Sequence, residues 1–367
     1  MNLTLLIIIV LVYFFTKNKY SKRTIKNYIT FVTVILIVIS GLRHEAVGND
    51  TYAYMCQFDE IAIKSWADVT ANFWNLYLNP GVDGKDPGEQ VLVKLFTYVL
   101  PNSRWFLFVV AALLLIPIGL LVYRNSETMD VPCFFYVFYI SLFYHYLPNS
   151  GVRQSLALSF LIIGYLFLQK DKVKYFLLFL FLSTLIHKSA IIACLMLVVY
   201  YLNNIRLMYY SGILLFVAML FAYRYVGWFL SMQSEVYQEY GMGLYYAGGT
   251  SLPYLSILMI LSLYLLGLLG ISKDRNIYSH RLLYGGSIFT LIFVVLVRLD
   301  PNLIRITAYF APWMGLMLPY TLKLWKPKKY KVYLTLVILV FIVKAMVSPD
   351  NYQFMWQEMQ LHERYFR

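Results

Sequence analysis

Tyr175-Phe-Leu-Leu-Phe-Leu-Phe-Leu-Ser-Thr-Leu-Ile-His187-Lys188-Ser189-Ala-Ile-Ile-Ala-Cys-Leu-Met-Leu-Val-Val-Tyr-Tyr-Leu202 is an apolar run interrupted once, at His187-Lys188-Ser189. It reads either as one long helix or as two short ones, and the choice sets the path of everything after it. Similar runs fill the rest of the chain: Leu3–Phe15, Tyr28–Leu42, Trp105–Tyr123, Val131–Leu147, Val152–Leu168, Leu207–Leu230, Leu252–Leu269, Leu282–Val297, Ile304–Leu322 and Val332–Val347. Several are shorter than the roughly 20 residues that cross a bilayer, and Tyr, Trp and Lys can carry such a run into the interface. Of the 367 residues 60% are hydrophobic and 13% charged, against roughly 25% charged in an ordinary soluble domain. A soluble core of this length cannot hide so much apolar surface. The expected fold is therefore all-α, a polytopic helical membrane bundle of about twelve spans forming a single membrane domain over residues 1–367.

Loop charge orients the spans. Residues 17–27 carry Lys17, Lys19, Lys22, Arg23 and Lys26 with no acid, and residues 323–331 carry Lys323, Lys326, Lys328, Lys329 and Lys331 with none. The connections Lys170–Lys174 and Lys273–Arg281 are also net basic. All four read as cytoplasmic under the positive-inside rule. Residues 43–102 hold four Lys/Arg against eight Asp/Glu, and residues 232–250 hold Glu235 and Glu239 alone, so both read as external. Parity now settles the opening stretch. As one span, Tyr175–Leu202 would put Lys273–Arg281 and the 323–331 loop outside. As two short spans with His187 at an outer turn, every basic loop falls inside and both termini fall outside. The same distribution accounts for most of the net charge of +13, and nothing points to nucleic acid. The N-terminal run lacks a basic segment before it and a small-residue cleavage site after it, and reads as a retained span. Cys56, Cys133 and Cys194 have neither disulfide-framework nor metal spacing.

The external stretch 43–102 contains the turn-rich Asn79-Pro-Gly-Val-Asp-Gly-Lys-Asp-Pro-Gly88, followed by Glu89–Leu100, whose apolar positions can line one face of an interfacial amphipathic helix. Four polar clusters fall on the outer side. In Gly41-Leu-Arg43-His44-Glu45-Ala-Val-Gly48-Asn49-Asp50-Thr51-Tyr-Ala-Tyr54, Arg43 can bind a phosphate oxygen and Asp50 can orient a sugar or accept a proton; the plainer reading is an exit turn with Asp50 capping the next helix. In His145-Tyr-Leu-Pro148-Asn149-Ser150-Gly151-Val-Arg153-Gln154-Ser155, Asn149 or Ser150 reads as an N-cap. Arg153 sits in the first helical turn, where a positive charge is unfavourable unless an anion is present; the alternative is a snorkelling side chain. His187 is either a structural hydrogen-bonder or a general base at a turn below the outer surface. In Arg298-Leu-Asp300-Pro301-Asn302-Leu-Ile-Arg305-Ile-Thr-Ala-Tyr309-Phe310, Asp300 and Pro301 form a helix start flanked by two arginines. These either clamp a diphosphate, or Arg298 pairs with Asp300 and Arg305 snorkels. Nucleotide-binding, zinc-protease and serine-hydrolase signatures are absent, as is an Asp-x-Asp metal cluster.

In order along the chain, Gly41-Leu-Arg43, Val47-Gly-Asn-Asp50-Thr-Tyr52-Ala-Tyr54, Asp86-Pro-Gly-Glu89, Val152-Arg153-Gln154-Ser-Leu-Ala157, Leu185-Ile-His187-Lys-Ser-Ala190, and Arg305-Ile-Thr-Ala-Tyr309-Phe310 leading to Leu318-Pro319 resemble the EpsG family of Wzy-like exopolysaccharide polymerases. Ser155 departs from the glycine common at that position in relatives. The resemblance covers roughly residues 40–320 and implies a helical membrane bundle related to the GT-C class. It implies a glycosyltransferase of the bacterial cytoplasmic membrane, moving a growing glycan from undecaprenyl diphosphate onto a lipid-linked repeat unit at the outer face. Its expected partners are undecaprenyl-diphosphate-linked oligosaccharides and membrane lipid, with a flippase and a chain-length regulator as candidates beside them. No cofactor and no metal is expected. The residues assigned on this basis are His187, Asp50 and Glu89 as candidate bases, with His187 first; Arg43, Arg153, Arg298 and Arg305 as diphosphate contacts; and Tyr54, Gln154, Asp300 and Tyr309 as sugar contacts. A lipid-linked oligosaccharide flippase, a glycan ligase and a structural partner of an exopolysaccharide complex are the competing readings; a transporter would carry polar residues through both leaflets, often in paired repeats.

Overall fold

The computed structural model describes residues 1–16, 21–48, 50–78, 86–231, 252–347, 352–359 and 361. The chain is helical throughout this part: α1 Asn2–Thr16, α2 Lys22–Gly41, α3 Thr51–Ile63, α4 Trp66–Leu78, α5 Pro87–Thr97, α6 Ser103–Asn125, α7 Asp130–Tyr139, α8 Val152–Leu168, α9 Val173–Ile186, α10 Leu195–Tyr201, α11 Ile205–Ser231, α12 Leu252–Ile271, α13 Arg281–Phe293, α14 Ile304–Thr307, α15 Ala311–Trp325 and α16 Tyr330–Val347. Among the described residues there is no strand, only a single bridge between Arg43 and Phe354. The apolar runs lie largely on helix, although Ile304–Leu322 is broken by a turn at 308–310 and Val131–Leu147 passes through a π-helical segment, Ile140–Tyr144, into a turn. Six helices are long and apolar enough to cross a membrane: Lys22–Gly41, Ser103–Asn125, Ile205–Trp228, Tyr254–Ile271, Arg281–Arg298 and Tyr330–Val347. Shorter apolar helices accompany them, and the whole is a helical membrane bundle. The run Tyr175–Leu202 is not one helix. It ends as α9 at Ile186, passes through an extended His187, and resumes as a 3-10 turn over Lys188–Cys194 before α10.

The chain divides into two compact units. The first comprises Met1–Ser126, Tyr144–Ala193 and Pro349–Arg367. Here α2 packs on α6, α6 on α8, and α8 on α9 in the most extensive pairing of the chain. The short Lys170–Lys174 connection makes α8 and α9 an antiparallel hairpin, with Gly164 against Phe176 and Phe179 and the Ser183 hydroxyl donating to the Ala157 carbonyl. Against this frame, α3 packs on α6, and α5 packs on α3, α4 and α9. The stretch 43–102 thus carries three helices of its own; the turn-rich residues 79–85 lie outside the described residues, as do 232–250. Helix α5 forms where an amphipathic segment was expected, but its buried face includes Glu89 and Lys94. The Lys94 ammonium is satisfied there by the carbonyls of Ile61, Ala62 and Lys64 at the end of α3, which is why a charged residue can turn inward. The C-terminal segment returns to the exit of α2, with His44 N–H donating to the Gln353 carbonyl and Met355 N–H to that of Leu42.

The second unit comprises Glu127–Phe143 and Cys194–Ser348. Helix α15 is its axis, packed on α7, α12, α13 and α16, with Trp313 fully buried. Tyr209 and Tyr264 stack with ring centroids 4.2 Å apart, and each hydroxyl donates to the other's backbone carbonyl. A polar side chain buried in an apolar bundle is tolerated when its hydrogen bond is made locally in this way.

Candidate functional site

Four helix ends of the first unit converge: α3, the N-termini of α5 and α8, and the C-terminus of α9. The antiparallel α8–α9 hairpin puts Arg153 and His187 at the same end. Gly88 lets α5 close on α9, since a Cβ there would fall 2.5 Å from the Leu185 carbonyl oxygen. Asp86, at the N-cap of α5, has φ 41°, in the left-handed region that Asp tolerates better than most residues. Its carboxylate does not cap its own helix. It accepts instead from His187 Nδ1 at 2.6 Å and from the Lys188 backbone N–H at 3.0 Å, and Arg153 Nη1 lies 4.0 Å away. Burial alone would raise the Asp86 carboxyl, but the His187 hydrogen bond and charge, the Lys188 N–H and Arg153 outweigh it and hold the group below its ordinary value. An ionised Asp86 can only accept, so His187 Nδ1 carries a proton and donates it to the carboxylate. The imidazole is 25% exposed and Nε2 has no hydrogen-bond partner among the described residues.

Arg153 also donates from Nε to the Tyr54 hydroxyl at 3.1 Å. Below it Glu89 is fully buried, with Oε2 accepting from Gln57 Nε2 at 2.9 Å and Oε1 unpartnered. Burial pushes the Glu89 carboxyl up to about 7, with Arg153 and Gln57 pulling the other way. Glu89, Arg153, Tyr54 and His187 are thus brought together. Gln154 is buried next to Arg153 in sequence, in the first turn of α8. Asp86 and Gln57 enter the cluster without having been singled out. Asp86 stood in the Asp-Pro-Gly-Glu89 stretch, where Asp before Pro reads as a cap and gives no hint of a histidine 101 positions away.

Arg43 has a different setting. It is fully buried, donates from Nε to the Thr51 hydroxyl at 3.2 Å, and donates from Nη1 to the Ser40 carbonyl and hydroxyl, while Nη2 is unpartnered. Thr51 and Ser40 in turn bond the Asn149 carbonyl and side chain. Gly48, at φ 83°, lies so close to Asn149 that a Cβ would fall 1.9 Å from its carbonyl oxygen. Arg43 therefore ties the turn after α2 to the loop before α8. Asp50 is the N-cap residue of α3 but makes no side-chain cap bond. Neither Asn149 nor Ser150 caps α8; that position is Gly151. The capping assignments failed because short polar side chains find tertiary partners as readily as local N–H groups.

In the second unit, Asp300 does cap, accepting from Asn302 N–H at 2.6 Å, but over a 3-10 turn, Pro301–Leu303. Arg298 lies 4.3 Å over the Tyr223 ring and is not paired with Asp300; Arg305 is the cation that Asp300 feels. Tyr309 is fully buried. This unit also holds a cluster that loop charge alone had hidden. Asp274 is 1% exposed and accepts from His280 Nδ1 at 3.0 Å, Tyr284 hydroxyl at 2.9 Å, Tyr320 hydroxyl at 3.0 Å and Asn276 N–H at 2.8 Å. Among the described residues no three His, Cys, Asp or Glu side chains converge as a metal ligand set.

No curated protein and no solved structure matches the chain. The EpsG family model matches residues 26–357, which takes in every residue of the Asp86–His187–Arg153 cluster, and the chain belongs to the EpsG family.

Proposed function

We propose that this membrane protein is a polysaccharide polymerase, transferring a growing glycan from undecaprenyl diphosphate onto a lipid-linked oligosaccharide repeat unit at the outer face of the bacterial cytoplasmic membrane. The proposal includes about twelve spans, both termini outside, and a GT-C-related bundle. The observation that carries it is the Asp86–His187 pair with its Nε2 open, beside Arg153 at a helix N-terminus. Family membership supports the same reading.

In the proposed step, His187 Nε2 takes the proton of the acceptor sugar hydroxyl. The hydroxyl oxygen bonds to the anomeric carbon of the donor, and the bond from that carbon to the diphosphate oxygen breaks. The electron pair leaves with the diphosphate, whose added charge Arg153 stabilises. Asp86 holds the imidazole in the required tautomer and stabilises the imidazolium that forms. No metal is assigned to this displacement. Asp50 is a secondary candidate base, and Tyr54 and Gln154 are candidate sugar contacts. In the second unit Arg298 and Arg305 are proposed to contact lipid phosphate, with Asp300 and Tyr309 near the sugars.

Purified protein in lipid nanodiscs, given a lipid-linked repeat unit, should return longer lipid-linked products, and His187→Ala and Arg153→Ala should not. Either variant giving full polymer length and yield at normal expression removes that residue from the mechanism. Translocation of the lipid-linked unit without elongation identifies a flippase instead.

A further inference from the structure

We propose that Glu89 takes up one proton from solvent when a lipid-linked diphosphate pairs with Arg153, so that substrate binding by this site is coupled to protonation of a carboxylate that never touches the phosphate. The inference rests on the reading of Arg153 as a diphosphate contact and adds a proton to that event.

The argument begins with charge. In the cluster Arg153 is a full positive charge set against two carboxyl groups, Asp86 at 4.0 Å and the buried Glu89 one turn along α5. Asp86 has two further supports, His187 and the Lys188 N–H. Among the described residues Glu89 has only Gln57, a neutral donor, on one oxygen, and no partner on the other. Among the described residues the groups acting on it are Tyr54 and Gln57 from α3, Arg153 from α8 and Asp86 at the start of its own helix, while His187 and Lys188 from the end of α9 are engaged by Asp86. Lys94, also on α5, is committed to the carbonyls at the end of α3. Asn72 of α4 bonds Gln90. Arg153 is thus the cation that partly offsets the burial of the Glu89 carboxylate. A diphosphate on Arg153 neutralises that cation and adds negative charge nearby. A carboxylate buried without a counter-charge takes a proton rather than remain ionised. The carboxylate becomes a carboxyl, and its second oxygen, now a hydroxyl, becomes a donor.

The test uses a probe that cannot titrate near neutrality, a farnesyl diphosphate esterified to a sugar, binding to the full-length protein in nanodiscs. Calorimetry in two buffers of different ionisation enthalpy counts the protons. Because the group is largely ionised above neutral pH in the free protein and protonated in the complex, affinity should fall by about tenfold per pH unit above pH 7 to 8, with uptake approaching one proton. Glu89→Gln, an isosteric mimic of the protonated form, should bind with no such slope and no uptake. Affinity independent of pH in the unaltered protein overturns the proposal, as does an unchanged slope in Glu89→Gln. A slope lost in His187→Gln but kept in Glu89→Gln assigns the proton to His187 and overturns it equally. Failure of Arg153→Gln to weaken binding strikes a different target, the reading of Arg153 itself, and the proposal falls with it.

Discussion

Among the described residues there are two histidine–aspartate pairs, one in each unit, and they differ in what the aspartate has left to do. His187 and His280 are equally exposed at the side chain, 25% each, and each gives Nδ1 to a carboxylate, at 2.6 and 3.0 Å. Asp274 receives four donors on two oxygens, from residues spread over the loop before α13, α13 itself and α15. Its carboxyl also lies below its ordinary value, because the hydrogen bonds from His280, Tyr284 and Asn276 outweigh its burial. Arg206 and Lys273 fasten the same loop by bonding the Asp274 and Trp325 carbonyls. Every donor in that set belongs to the fold, so the pair is a staple. Asp86 receives one histidine and one backbone N–H, makes no side-chain cap bond to its own helix, and has the Arg153 guanidinium 4.0 Å away. Helix stability has been given up there to orient an imidazole. The lesson is that a His–Asp pair is read by the saturation of its acid rather than by its own length.

The comparison breaks or holds on paired substitutions. The largest effect is expected for His187→Gln: polymer-forming turnover falls by about 10²–10⁴-fold, the usual contribution of a positioned base, while the apparent melting temperature is unchanged. His280→Gln should do the reverse, lowering stability by about 1 kcal/mol with turnover per folded molecule intact. If His280→Gln abolishes turnover in a folded protein, the two pairs have been assigned the wrong way round. Next, Asp274→Ala should cost about 3 kcal/mol, because the Tyr284 hydroxyl and the other donors lose their acceptor in a buried place. Thermal or denaturant unfolding in detergent checks it, and a melting temperature equal to that of Asp86→Ala would remove the distinction. Asp86→Asn, which keeps the shape but not the charge, should lower turnover roughly a hundredfold with little change in stability. The smallest effect is expected for Tyr320→Phe, about 1 kcal/mol of stability for one hydrogen bond to Asp274 and none of the turnover.

Much of the helical plan can be read in the residues, because lipid demands long continuous apolar runs and those runs proved largely helical. The interruption at His187 was legible from loop charge instead: the local stretch allowed one helix or two, and only a break there keeps every basic loop on one side. The approach of Arg153 to His187 follows from a short connection between two apolar runs. Partners drawn from the loop were not legible in this way. Nothing local says that Asp86 turns away from its own helix, or that Gln57 reaches Glu89 across 32 positions. Asp274 was hidden differently. It is the lone acid of a basic connection, and a sum over charges erases the one residue around which that connection folds.

Helix α5 has one further consequence, which concerns register. Within its first turn Asp86 points to His187, Gly88 admits Leu185, and Glu89 meets Gln57. Asp86 and Gly88 meet the end of α9 while Glu89 meets α3, and successive residues of a helix are separated by about 100°. One residue inserted between Asp86 and Glu89 therefore turns part of the set away and closes the gap that Gly88 leaves open. From Asp86 onward the chain is held in a fixed register, and a change of length there is a change of partners.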